Sequence, residues 1–144
     1  METKAALLDI KKVSQSRIHE VDFNNLPFGK VYSDHMMYCD FVDGEWQRPQ
    51  VVPYGPMQFD PSTKVFHYGQ AVFEGMKAFK DDNDKVWLFR PERNFKRINN
   101  SSKRLAIPEF PKEYFFESLK TLLQLDHDWV KKGQRNSLYI RPFV

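Results

Sequence analysis

Residues 75–89, GMKAFKDDNDKVWLF, give the clearest indication of the fold. Two apolar runs, residues 75–80 and 85–89, flank the polar cluster of residues 81–84, a pattern that predicts two antiparallel strands joined by a turn. The cluster has the acidic composition of a calcium-binding loop. An EF-hand, however, needs glycine at its sixth position and glutamate at its twelfth, and neither is in register. We therefore interpret residues 81–84 as a solvated turn.

An earlier hairpin is predicted on similar grounds. Residues 36–42, MMYCDFV, form an apolar run, and the following Asp43-Gly44 is the dipeptide most typical of a two-residue turn between strands. Residues 45–52 would be the returning strand. Pro49 and Pro53 would place its far end at a sheet edge or in a loop, because proline cannot donate to a strand ladder.

Two helices are predicted after the second hairpin. The first begins at Pro91, since proline is favoured in the first helical turn, and it is stopped by Pro108. The second opens at Pro111 and continues to Gly133, because apolar residues recur every three or four positions and glycine commonly ends a helix. A looser helical spacing covers residues 2–20.

The last predicted strand is SLYIRPFV, residues 137–144, whose alternation places Tyr139, Arg141 and Phe143 on one face. Two hairpins, two consecutive helices and this strand indicate an α+β domain with a mostly antiparallel sheet and two packed helices. A natural C-terminus is usually exposed and polar, so a sequence that stops inside an apolar strand predicts a truncated chain.

Composition limits the classes to which the protein can belong. The 144 residues are 41% hydrophobic and carry a net charge of +3, which is typical of a folded domain rather than a disordered chain. Cys39 is the single cysteine, which excludes a disulfide scaffold. Without a long apolar run or a secretion signal, we expect a cytoplasmic protein with no membrane contact. The 22 basic residues are scattered among 19 acidic ones, which argues against nucleic-acid binding.

The usual sequence motifs of nucleophilic and nucleotide-binding enzymes do not occur. There is no nucleophile elbow, phosphate loop or dinucleotide-binding glycine pattern. His35 and Cys39 have a spacing that could hold a metal on a helix, but they lie in a predicted strand without a second pair of ligands, so no metal site is expected. His127, near the end of the second helix, is interpreted as a favourable charge at the negative helix terminus.

Two arginines each leave two interpretations open. Arg97 lies on the flank of its helix, away from the apolar stripe, and is either part of a solvated basic face or an anion site. The second interpretation rests on the guanidinium, which binds phosphate in a bidentate manner. Arg141 alternates with aromatic residues in its strand, and a buried arginine there would need either a structural carboxylate or an anionic ligand.

Residues 66–79, FHYGQAVFEGMKAF, resemble the branched-chain amino-acid aminotransferases, pyridoxal-phosphate enzymes of fold type IV. Four further blocks resemble the family in the same order: FGKVYSDHM (28–36), LFRPERNFKR (88–97), LDHDWV (125–130) and SLYIRP (137–142). The resemblance covers about residues 26–144. It implies the smaller N-terminal domain of that α+β fold, preceded by an extension over residues 1–25.

The resemblance also implies an activity and a cofactor. Enzymes of this family move the amino group of leucine, isoleucine or valine to 2-oxoglutarate, giving a branched 2-oxo acid and glutamate. Their cofactor is pyridoxal 5′-phosphate, which carries the chemistry while the protein binds and orients the reactants. Arg97 matches the family's arginine that contacts the cofactor phosphate.

Five other residues match substrate-binding positions of the family. Phe28, Phe73 and Tyr139 match aromatic residues that line the pocket for the branched side chain, and Arg141 matches an arginine close to that pocket. Tyr68 matches a tyrosine that reaches toward the neighbouring subunit's site. A homodimer acting on small molecules is therefore implied for the full-length protein.

The family's catalytic lysine has no match in this chain. In the family it lies in a second domain downstream of the YIRP-like segment, and neither Lys77 nor Lys80 sits in its motif. Lysine is needed there because its amine must add to the cofactor aldehyde and later move a proton. We therefore expect no catalytic residue in these 144 residues and no activity from them alone. Two alternatives stay open: a relative acting on D-amino acids or aminodeoxychorismate, and a free-standing, non-catalytic interaction domain.

Overall fold

A computed structural model describes residues 7–144 of the protein. The described chain divides into two units. The first comprises the residues up to Gly55 together with Pro111–Trp129, and the second comprises Pro56–Phe110 and Val130–Val144. Among the described residues, no helix combines the length and the apolar character needed to cross a membrane.

Residues 7–144 contain eight short strands and three α-helices. In order they are β1 (Asp9–Ile10), β2 (His35–Tyr38), β3 (Phe41–Val42), β4 (Glu45–Trp46), β5 (Gln50–Pro53), α1 (Lys64–Tyr68), β6 (Met76–Lys80), β7 (Val86–Leu88), α2 (Pro91–Arg104), α3 (Lys112–Leu125) and β8 (Leu138–Ile140). Short 3-10 helices occupy Ile18–Glu20 and His127–Trp129. The fold is α+β, as expected, but the strands form three small sheets instead of one.

In the first unit the predicted early hairpin is confirmed, with an interruption. β3 and β4 pair across Asp43-Gly44, whose φ angles of 53° and 85° suit a left-handed two-residue turn. β2 and β5 pair antiparallel outside it, from His35 opposite Pro53 to Tyr38 opposite Gln50. One hairpin is thus split into two ladders, the outer of which belongs to the sheet β1-β5-β2.

The N-terminal helical prediction is wrong for the residues that the structure describes. Asp9 and Ile10 form a strand parallel to β5, opposite Gln50 and Val51. Residues 2–6 of that prediction lie outside the described residues. Short apolar runs of this kind do not distinguish a helix from a strand, and pairing with the edge of β5 determines the outcome.

The second unit is built on the sheet β7-β6-β8, in which both pairs are antiparallel. The predicted hairpin between β6 and β7 is confirmed, and its acidic cluster is a turn. Asp81 Oδ1 accepts the backbone N–H groups of Asn83 and Lys85, each at 2.9 Å. The carboxylate therefore stabilises the turn through local hydrogen bonds.

Both long helices are confirmed, although the second is shorter than predicted. α2 begins at Pro91 and ends at Arg104, four residues before Pro108. α3 ends at Leu125 instead of continuing to Gly133, because Asp126 turns inward to a buried partner. α2 belongs to the second unit and α3 to the first. The five-residue α1 escaped prediction, since so short a helix carries too little periodicity to be recognised.

Alternation along β6 gives its sheet one buried and one exposed face. Met76 and Ala78 are buried, as are Val72 before the strand and Ile98 of α2. Lys77 and Phe79, on the opposite face, are exposed.

Candidate functional site

The exposed face of the sheet β7-β6-β8 carries a row of aromatic side chains. Lys77 pairs with Tyr139, and Phe79 pairs with Trp87. Beyond the strand ends, an isolated bridge joins Phe73 to Phe143. Because side chains alternate with a period of two, the odd-numbered residues from 73 to 79 share one face with residues 139, 141 and 143. The predicted common face of Tyr139, Arg141 and Phe143 is confirmed.

Three of the predicted substrate-binding residues come together on this face. The Arg141 guanidinium donates from Nη2 to the Tyr139 hydroxyl at 2.8 Å. Its Cζ lies 4.5 Å from the centroid of the Phe73 ring and 5.2 Å from that of Tyr139, which are cation–π distances. Arg141 is exposed, so the sequence argument that applied to a buried arginine does not hold for it. Among the described residues, no carboxylate forms an ion pair with it.

Gly75 makes room for this cluster. A Cβ at position 75 would overlap the Tyr139 hydroxyl and lie 3.1 Å from the Tyr139 Cζ. The tyrosine can lie across β6 only because residue 75 has no side chain. Its hydroxyl then reaches Arg141, so the glycine indirectly sets the position of the arginine.

Arg97 lies elsewhere in the second unit and is ion-paired with Glu74. Its Nε donates to Glu74 Oε1, and its Nη2 donates to Oε2 at 2.8 Å. Glu74 is 5% exposed, whereas the Arg97 side chain is 66% exposed. The hydrogen bond from Arg97 is the main cause that lowers the pKa of Glu74, and the same bond raises the pKa of Arg97. Both groups are therefore charged at neutral pH.

The geometry of Arg97 is compatible with a bound phosphate. A guanidinium has five N–H groups, of which Glu74 engages one on Nε and one on Nη2. The Nη1–Nη2 edge can still donate two parallel hydrogen bonds to an oxyanion. Because the side chain is two-thirds exposed, an anion can reach this edge.

Tyr68 does not join the Arg141 cluster, and Phe28 belongs to the other unit. Tyr68 is the last residue of α1 and is 79% exposed, with Lys64 Nζ at 5.9 Å from its ring centroid. Phe28 is 83% exposed and belongs to the first unit, whereas the other five predicted site residues belong to the second.

The first unit contains a buried polar network that sequence reasoning missed. His35 Nδ1 lies 2.6 Å from Asp126 Oδ1, and His35 Nε2 accepts the backbone N–H of Val13 at 3.1 Å. Because a backbone N–H can only donate, Nε2 carries no proton and Nδ1–H donates to the carboxylate. Trp129 Nε1 donates to the buried Asp34 at 2.9 Å. Asp126 and Trp129 are more than 90 residues from their partners, so no local pattern could have identified these pairs.

His35 and Cys39, considered above as metal ligands, each form a hydrogen bond with a different partner. His35 contacts Asp126, and Cys39 Sγ donates to the Gln47 carbonyl oxygen at 3.0 Å. Burial, together with the nearby Asp40, raises the pKa of the Cys39 thiol to about 11. In residues 7–144, no group of three or more His, Cys, Asp and Glu side chains is arranged to hold a metal ion.

Comparison with known proteins identifies relatives over most of the chain. It is 48% identical over 124 residues to branched-chain-amino-acid aminotransferase 2 of Bacillus subtilis and 50% identical over 129 residues to a branched-chain-amino-acid aminotransferase of Mycolicibacterium smegmatis. The chain is related to the branched-chain-amino-acid aminotransferases. A probable branched-chain-amino-acid aminotransferase of Staphylococcus epidermidis is 50% identical over 124 residues. No family model matches the chain.

The match to these aminotransferases is uneven in coverage. It includes 85% to 88% of this chain but only 34% to 35% of each relative. The chain thus spans about a third of the length of the aminotransferases that it matches. The resemblance noted in the sequence is confirmed, whereas the roles of Arg97, Phe28, Tyr68, Phe73, Tyr139 and Arg141 stay predictions.

Proposed function

We propose that the full-length protein containing this chain is a pyridoxal 5′-phosphate-dependent branched-chain aminotransferase. It transfers the amino group of leucine, isoleucine or valine to 2-oxoglutarate. The observation that carries the proposal is the identity of 48% to 50% with proteins named as such aminotransferases, over at least 85% of the chain. The arrangement of Arg97 and of the Arg141 cluster supports it.

Arg97 would hold the cofactor phosphate through the edge of its guanidinium that Glu74 leaves available. The cofactor, when bound, supplies an electron sink for the carbon from which the amino group departs. This part of the protein would then bind and orient the cofactor and the substrate. A permanently charged, exposed guanidinium with a fixed partner is suited to that task.

Phe73, Tyr139 and Arg141 would form one wall of the substrate pocket. Aromatic rings are suited to the apolar side chains of leucine, isoleucine and valine. Arg141 lies close to two aromatic rings and has a neutral hydroxyl as its hydrogen-bond acceptor, so its charge is available to a substrate carboxylate. Both substrate classes, branched and dicarboxylic, would thus meet a suitable group on the same face.

The chain alone is proposed to be inactive. In the family that this chain resembles, the lysine that binds the cofactor lies in a downstream domain, and no lysine of this chain matches its motif. About two-thirds of each relative has no counterpart in this chain. We place the chain as the N-terminal small domain of a cytoplasmic homodimer. The exposed aromatic face also disfavours the free-standing alternative, because a stable isolated domain rarely exposes so many large apolar rings together.

The proposal is tested by amino transfer in the full-length protein. Purified protein with added pyridoxal 5′-phosphate should form glutamate from 2-oxoglutarate when leucine, isoleucine or valine is the donor. The 144-residue chain, tested in parallel, should form none. D-alanine as donor tests the relative acting on D-amino acids. Turnover with D-alanine but not with leucine would refute the proposed substrate class, and absence of all turnover would favour the interaction domain.

A further inference from the structure

Glu74 is a buried carboxylate to which the resemblance assigns no role. It lies two residues before the start of β6 and is 5% exposed. A buried charge is unfavourable unless it is paired and hydrogen-bonded, so its partners determine what it does. Those partners connect the start of β6 to α2.

The Glu74 carboxylate is fixed by groups other than Arg97. Its Oε2 accepts the backbone N–H of Gly75 at 3.1 Å and the side-chain amide of Asn94 at 2.9 Å. The same Asn94 Nδ2 donates to the Gly75 carbonyl oxygen at 3.1 Å. Asn94 lies on α2, one turn before Arg97. The carboxylate is therefore held by the strand backbone and by the helix before the arginine reaches it.

Arg97, in contrast, depends on Glu74 for its orientation. Its side chain is 66% exposed, and an exposed arginine has many accessible rotamers. Among the described residues, the hydrogen-bond acceptors that contact its guanidinium are the two oxygens of Glu74. Both bonds together fix the plane of the guanidinium as well as its location.

We propose that Glu74 is a positioning residue that orients Arg97, so that the Nη1–Nη2 edge is preset to receive the cofactor phosphate. The proposal rests on the proposed function, because it takes the phosphate of pyridoxal 5′-phosphate as the ligand of Arg97. Glu74 does not touch the phosphate. It acts through the arginine, with Asn94 and the Gly75 backbone as its own supports.

The charge of Glu74 and its orienting effect on Arg97 should change phosphate affinity in opposite directions when Glu74 is neutralised. A carboxylate beside a phosphate-binding arginine repels the phosphate, so neutralising it should strengthen anion binding if only charge matters. If orientation matters more, neutralising it should weaken binding, because Arg97 must then be immobilised at the moment the phosphate arrives. The sign of the change in phosphate affinity therefore separates the two effects.

The experiment compares pyridoxal 5′-phosphate with pyridoxal, which lacks the phosphate. Dissociation constants of both are measured for the full-length apoprotein by equilibrium titration, and their ratio isolates the phosphate contribution. Glu74→Gln should reduce the preference for pyridoxal 5′-phosphate over pyridoxal, given by this ratio, about tenfold. That is the effect of one weakened charge-assisted hydrogen bond. General disruption of the fold would weaken both ligands and leave the ratio unchanged.

Two further variants keep the test decisive. Asn94→Ala retains the pair of Glu74 and Arg97 but removes a support of the carboxylate, so it should reduce the preference by a smaller factor; it also serves if Glu74→Gln does not fold. Glu92→Gln removes an exposed carboxylate in the first turn of α2 and should leave the ratio unchanged.

The outcomes distinguish this proposal from the proposed function. If Arg97→Ala reduces the preference for the phosphorylated cofactor while Glu74→Gln and Asn94→Ala do not, the positioning role of Glu74 is wrong and the phosphate role of Arg97 stands. The same conclusion follows if Glu74→Gln increases the preference. If Arg97→Ala itself leaves the preference unchanged, the phosphate is bound elsewhere and both proposals fail.

Discussion

The Tyr139 hydroxyl occupies the space that a side chain at Gly75 would fill. The tyrosine lies across β6 for this reason, and its hydroxyl accepts a hydrogen bond from Arg141. We expect Gly75→Ala to displace Tyr139 toward solvent and to free Arg141. In the full-length protein the KM for 2-oxoglutarate, which carries two carboxylates, should rise about tenfold, the effect of losing a charge-assisted contact. Steady-state kinetics with 2-oxoglutarate and with a branched 2-oxo acid measure the effect.

Gly55→Ala is the matched control for this substitution. Within residues 7–144, no atom other than those of the adjacent residues lies within 4 Å of a Cβ built at position 55. The variant should therefore leave both KM values unchanged and should be neutral or slightly stabilising. Equal KM values for 2-oxoglutarate in the two glycine variants would contradict the account of Arg141. A Tyr139→Phe variant, which keeps the ring but lacks the hydroxyl, should reproduce the change seen in Gly75→Ala.

Trp129→Phe should destabilise the first unit. The variant removes the Nε1 donor of a buried hydrogen bond to Asp34, and the carboxylate keeps its contact with the Arg17 N–H but loses one partner. The expected loss in the free energy of unfolding is about 1.5 to 3 kcal/mol, the contribution of one hydrogen bond to a charged group. Urea denaturation followed by far-UV circular dichroism measures it.

Trp87→Phe provides the comparison. Trp87 Nε1 also donates to an aspartate, Asp81, but the ring is 50% exposed and water can replace the lost donor. Its effect on the urea midpoint should be clearly smaller. Equal destabilisation by the two tryptophan variants would show that burial of the acceptor does not control the effect.

Stability should fall in acid because two buried carboxylates have lowered pKa values. Hydrogen bonds from Arg97, followed by Asn94 and the Gly75 N–H, lower the pKa of Glu74. For Asp34, burial raises the pKa, but hydrogen bonds from Arg17, Ser16 and Trp129 together outweigh it. A carboxylate whose pKa is lower in the native state stabilises the protein above its unfolded-state pKa, near 4. This contribution is lost as the pH falls through the native value.

The pH dependence can be assigned by substitution. Urea midpoints between about pH 7 and pH 3 should fall less steeply for Glu74→Gln than for the wild type, since the variant has one fewer group that takes up a proton on unfolding. Glu92→Gln, which alters an exposed carboxylate, should retain the wild-type slope. A Glu74→Gln slope as steep as that of the wild type would show that Glu74 does not contribute to acid unfolding.

Local patterns predicted much of the fold. The turn at Asp43-Gly44, the acidic turn before Lys85 and the start of α2 at Pro91 each depend on the conformational preferences of a few adjacent residues. Such preferences can be recognised without knowledge of the rest of the chain. The alternation that places Tyr139 and Arg141 on one face is of the same kind.

The partners of charged side chains could not be predicted in this way. Arg97 and Glu74 are 23 residues apart, and His35 and Asp126 are 91 residues apart. Their pairing follows from the packing of separate elements. The periodicity of apolar residues along the sequence does not predict which elements pack together. The same cause explains the length of α3, which ends where Asp126 turns toward its histidine. Sequence resemblance assigned a ligand to Arg97 but gave no indication of the carboxylate that orients it.

The most direct measurement compares Arg97→Ala with Arg93→Ala in the full-length apoprotein. Arg93 lies one turn earlier on the same helix and is exposed, so its removal alters the charge of the helix without removing the proposed phosphate contact. Affinities for pyridoxal 5′-phosphate and for pyridoxal are measured by equilibrium titration. We predict that Arg97→Ala lowers the preference for the phosphorylated cofactor ten- to a hundredfold and that Arg93→Ala changes it by less than about twofold. An unchanged preference in Arg97→Ala, or an equal loss in both variants, would contradict the assignment of this chain's arginine to the cofactor phosphate.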